Sequence, residues 1–212
     1  MSASRQYVFA VMRAILFVAL VLAGSVAVPV RADDLAPPPW RGAPGSDWQH
    51  WEFRTNGPLP DAWNNPYGVP TENVALRSNA TWHNSFGGRQ GVWELRDGYM
   101  QWEIPDDFQP HLPKWVRIQF TVNIANFNWA GNPTFIGPVT QLETDPQTNI
   151  TWYHHWADYV LPCQPFSVFL QGTLAVDQLV VDSVCVPEPG SMLLSTIGLG
   201  VVGAAFRRRR KA

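Results

Sequence analysis

Between Asp33 and Val186 the chain is short of positive charge: seven Lys and Arg stand against sixteen Asp and Glu, a net charge near −9. The whole-chain balance of −2 hides this deficit, because eight of the 15 basic residues lie outside that stretch. Nucleic acid demands a basic face for its phosphates, so it is excluded as a partner. Anionic lipid is repelled by the same deficit. Apolar repeats at helical spacing are also missing, since no segment of the body keeps them for three turns. Neither G-x-S-x-G nor H-E-x-x-H occurs. No catalytic residue, metal ligand or cofactor is therefore assigned.

Cysteine is limited to Cys163 and Cys185. In an oxidising compartment an even count favours one disulfide, with only one pairing available. Two free thiols are the alternative, and nothing resembling a Cys-His nucleophile surrounds either one. His154 and His155 have the residue type of metal ligands, but neighbours on a strand point to opposite faces and cannot grip one ion. Asp106 and Asp107 follow "YMQWEIP" on an expected loop, where they are candidates for a calcium site built from scattered oxygens. The carboxylate pair of a glycosidase comes from distant strands, and no linear pattern reveals one.

What the body does contain is short alternating runs separated by turn residues. "KWVRIQFTVNI" puts Val116, Ile118, Phe120, Val122 and Ile124 on one face. Arg117, Gln119, Thr121 and Asn123 fall on the other, which predicts a strand with one buried and one exposed side. "WQHWEFRT" sets Trp51, Phe53 and Thr55 on one side, and "GVWEL" and "YMQWEI" flank Arg96-Asp97-Gly98, read as a hairpin turn. "NITWYHHWADYVL", "PFSVFLQG" and "TLAVDQLVVDSVCV" complete the series, with loops at 64–70 and 85–91. The fold class predicted is all-β, a single jelly-roll-like β-sandwich over 47–186, preceded by a Pro/Gly-rich lead-in at 33–46. All 11 Trp lie between Trp40 and Trp156. Most suit core or edge packing, but flat rings beside Asn, Gln and Asp also suit stacking on sugars.

The two ends have a different character. Arg5 and Arg13 precede an apolar run from Ala14 to Val28, and "VRA" ending at Ala32 offers small residues at a cleavage site. That is the pattern of a secretory signal peptide over 1–32, with an alternative cut after Ala27. At the other end, Val186-Pro187-Glu188-Pro189 leads into an uncharged stretch at 190–206. As a helix, roughly 17 residues would span ~25 Å, at the short end of a membrane crossing. Arg207, Arg208, Arg209, Arg210 and Lys211 follow as a stop-transfer block that stays cytoplasmic. Gly198, Gly200 and Gly203 spell G-x-G-x-x-G inside this stretch, but no strand precedes them, and the dinucleotide reading fails.

Motif, apolar helix and terminal basic cluster, in that order, resemble the PEP-CTERM sorting signal of bacteria with an outer membrane. The resemblance implies recognition by an exosortase, a membrane protease/transpeptidase that cuts near the Pro-Glu-Pro motif. It also implies transient anchoring through the C-terminal helix and delivery to the cell surface or to extracellular polysaccharide. It covers only the sorting signal at 186–212, so it implies a route rather than an activity. For the body, the expectations are a non-enzymatic surface or matrix protein, a carbohydrate-binding module, or less readily a secreted glycan-active hydrolase.

Overall fold

The computed structural model describes residues 34–186. The expected signal peptide (1–32), Pro187, Glu188, Pro189, the apolar stretch 190–206 and the basic block Arg207, Arg208, Arg209, Arg210 and Lys211 lie outside the described residues. The described residues are nearly all β. The strands are β1 Ser46–Trp51, β2 Ala62–Asn64, β3 Thr71–Glu72, β4 Ser78–Phe86 and β5 Arg89–Ile104. After them come β6 Gln109–Val122, β7 Phe135–Ile136, β8 Thr140–Thr144, β9 Thr151–Cys163 and β10 Phe166–Cys185. A single 3₁₀ turn at Val74–Leu76 interrupts the series.

All ten strands belong to one hydrogen-bonded sheet, and β10 is its hinge. The first half of β10, Phe166 to Val176, pairs with β5. Its second half is flanked by β6 on one edge and β1 on the other. The sheet curls about this shared strand, so residues from both of its wings meet in one core. The sandwich expected from the sequence goes further than this ladder pattern, in which the two wings remain continuous. Trp102, fully buried, packs at 6.1–6.3 Å against Phe53, Trp51 and Phe120, tying β5 to β1 and β6.

Two expectations need correction. Arg96-Asp97-Gly98 is not a hairpin, because β5 runs straight through it. Asp97 takes φ +54° and the extra residues form a bulge instead. The neighbouring strands bend at the same rung, where Asn79 has φ +46° and Gly172 φ +134°. The hairpin lies earlier, at Gly87-Gly88, whose two positive φ values are those of a type I′ turn. Likewise "PFSVFLQG" and "TLAVDQLVVDSVCV" are one strand of 20 residues, bent at Gly172 rather than broken there.

The second correction concerns β6. Val116, Ile118, Phe120 and Val122 are buried together, and Ile124 is half-buried against the same core. Gln119 and Thr121 on the other face are buried too. The lead-in docks on that face rather than trailing away. Gln119 donates to Asp34 and accepts from the Ala36 N–H, while Arg117 donates to the Ala36 carbonyl. Arg41 is clamped between Asp34 and Asp182. The polar side of the strand is covered because it supplies the polar partners that a covering segment needs.

Candidate functional site

Three regions of the body bear on function, beginning with the exit of the sorting motif. Val186, its first residue, follows β10 directly and donates its N–H to Pro113 at 2.9 Å. Immediately before it, Cys185 is bridged to Cys163 with Cα atoms 5.6 Å apart. The bridge closes a loop of about 22 residues, worth roughly 3 kcal/mol in the chain-entropy account. Lys114 stands opposite Cys185 in the ladder and forms a fully buried ion pair with Asp106 at 2.7 Å. Asp106, a calcium candidate in the sequence, has its carboxylate engaged by this lysine. Asp107 is committed as well, accepting from the Phe108 N–H and the Gln109 amide. Sequence reasoning passed over Lys114, although it shares the parity of Val116 and Ile118 and so had to point inward.

The second region is the polar face under the lead-in. Asp182 is fully buried there, and burial pushes its carboxyl up to about 6 even with the Arg41 guanidinium against it. Arg117 grips Asp158 through two bonds of 2.7 and 2.8 Å and lies 3.9 Å over the Trp156 ring. His154 is 1% exposed, and neither ring nitrogen has a hydrogen-bond partner. Burial holds it down to about 4, so it is neutral at physiological pH. His155 turns to the other face, where Nε2 lies 2.8 Å from the Ile124 carbonyl. The two histidines do not share a ligand position.

The third region is a groove of about 450 Å³. It opens where β6 and β10 part company. Asn123 makes the last rung, donating its N–H to the Ala175 carbonyl and accepting the Ala175 N–H on its side-chain oxygen. Beyond it the chain from Ile124 to Gly131 swings away, and the edge of β10 from Phe166 to Leu174 forms the opposite wall. Phe120, Tyr159 and Leu161 make an apolar floor, while Phe127 and Trp129 pack edge to face at 4.8 Å. Asn126, Asn128, Gln171 and Thr173 supply amide and hydroxyl groups around it. No Asp, Glu or His lies among its described lining residues. The sequence offered no signal for this groove beyond the aromatic–amide mixture of "NIANFNWAGN".

Most tryptophans pack. Trp51, Trp93, Trp102 and Trp152 are buried, and Trp156 is held between Arg117 and Phe135. Trp63 and Trp115 are 42% and 44% exposed. Trp115 meets Trp40 at an interplanar angle of 60°, which is not a flat stacking surface.

Comparison with known proteins gives one match, to the PEP-CTERM protein-sorting motif over residues 186–210. No curated protein and no solved structure matches the chain. A motif of this kind implies export, surface sorting and processing by an exosortase membrane protein. Its first residue, the last of the described residues, is held to the folded body by a backbone hydrogen bond. The chain is an exported protein that carries a PEP-CTERM sorting motif at its C-terminal end.

Proposed function

We infer that the chain is a non-enzymatic protein of the cell surface or extracellular matrix, held in the membrane by its 190–206 segment until an exosortase cuts near Glu188. The observation that carries this reading is the position of the matched motif. It begins at Val186, directly after a strand fastened by the Cys163–Cys185 bridge. Cleavage just beyond that point would release the sheet whole. Pro187 and Pro189 would fix two φ angles and keep Glu188 extended for a protease. Arg207 to Lys211 would stop transfer while the cut is made. Intact-mass measurement of the exported protein should find a species lacking 207–212. Replacing Pro187, Glu188 and Pro189 by Ala should leave an unprocessed, membrane-held form. A complete tail on most exported molecules would overturn the reading.

A second reading, a carbohydrate-binding module, draws support from the groove. Trp129, Tyr159 and neighbouring amides are the side chains that meet the apolar faces and hydroxyls of sugars. A glycan array probed with the exported protein should then give hits that fall at least about tenfold in affinity for Trp129→Ala. An array without hits, or hits indifferent to Trp129 and Gln171, would leave the surface-protein reading alone. A hydrolase would need a carboxylate pair, and the groove supports no such assignment.

A further inference from the structure

Lys114 is the only lysine between positions 34 and 186, and it is fully buried. Its Nζ lies 2.7 Å from Oδ2 of Asp106, a side chain only 1% exposed, and also donates to the Gln164 carbonyl. The Phe166 ring centroid is 4.2 Å from the same nitrogen. On the opposite side, Cys185 Sγ is 3.6 Å from Asp106 Oδ1. An amine is thus held against a carboxyl group in a site closed by a ring and a disulfide. A second acid, Asp47, lies on the same face of the sheet through β1 and β10, where the Ser183 hydroxyl is 2.9 and 2.8 Å from its oxygens. Burial in low dielectric is costly for such charges and their mutual attraction often fails to offset it. Joining the amine and carboxyl as an amide removes both charges.

We propose that Lys114 and Asp106 become joined by an intramolecular isopeptide bond that forms within the folded protein. In the dry site the ammonium proton moves to the carboxylate, giving a neutral amine and a carboxylic acid. Burial favours that form of Lys114 by lowering its proton affinity. The Nζ lone pair attacks Cγ of Asp106, a C–N bond forms, and the carbonyl electron pair moves onto oxygen. That pair then returns as the C–O bond to the hydroxyl breaks. Asp47, which burial holds protonated to about pH 7, passes its proton to the departing hydroxyl and takes back the surplus proton from nitrogen. One amide and one water result, with no change of oxidation state and Asp47 restored. The crosslink would fasten the β5–β6 turn to the strand beside the exit of the sorting motif, next to the disulfide.

The full-length folded protein, reduced and denatured before measurement, should have a mass about 18 Da below its sequence mass, the loss of one water. Trypsin should then fail to cut after Lys114 and yield a single 97–117 peptide carrying the deficit. Lys114→Arg should restore the full mass. Asp106→Asn should instead lose about 17 Da, because ammonia leaves in place of water. Asp47→Asn should slow the appearance of the deficit in freshly refolded protein by on the order of a hundredfold. A reduced wild-type chain at full mass, or one that trypsin still cuts after Lys114, would overturn the proposal whether or not any variant folds. An unchanged rate in Asp47→Asn would overturn the proton relay.

Discussion

His154 sits under the lead-in with both ring nitrogens unbonded, close enough to Asp34 to feel its charge and to His155 to be repelled. Burial outweighs the carboxylate, and the folded-state pKa falls from 6.5 to about 4. For a base depressed in this way, the folded state binds fewer protons than the unfolded chain between those two values. Its contribution to stability is therefore complete above pH 6.5 and is lost as pH falls through 4. The loss is of order 2–3 kcal/mol. Urea denaturation of His154→Phe at pH 7 and pH 4 should show a smaller acid loss than wild type. An equal loss would mean that the histidine is hydrated in solution. Alternation along β9 foretold that His154 and His155 would part, but not which side would be dry. That depends on Asp34 and Arg41, more than a hundred residues away in sequence.

At the level of strands, the bend shared by β4, β5 and β10 is the feature that local reading could least deliver. Arg96-Asp97-Gly98 carries a true turn signal, and Asp97 does adopt positive φ. Whether such a signal ends a strand or only bulges it depends on which partners lie alongside. Here both neighbours give way at the same rung, so the ladder continues. A β-carbon on Gly98 would sit 2.6 Å from the Asn79 carbonyl oxygen, and one on Gly172 would be forced into φ +134°. Gly98→Ala and Gly172→Ala should each cost about 1–3 kcal/mol of unfolding free energy by denaturant titration. Gly42→Ala has open space around it and carries only its own φ penalty, so it measures the strain without the clash. Period two in "KWVRIQFTVNI" identified the apolar face of β6 correctly. Its other face was read as exposed because the lead-in looked like a spacer, and the polar groups on each side gave no local hint that they would pair.

For the whole molecule, the charge deficit and the sorting motif were legible because each is a local or additive property of the sequence. The continuous curled sheet and the groove were not, since both follow from β10 pairing with three strands spread along the chain. That placement carries a consequence for timing. Were the chain threaded through the membrane from its N-terminal end, β1, β5 and β6 would emerge before the strand that joins them. Until Phe166 to Cys185 has crossed, β1 lacks its long partner and the two wings have no common edge. Contacts of such sequence separation form late and slowly. The last strand to arrive is also the one that ends at the sorting motif. Folding would thus be completed only as the handle reaches the membrane, and the passenger would travel unfolded for the whole of its passage.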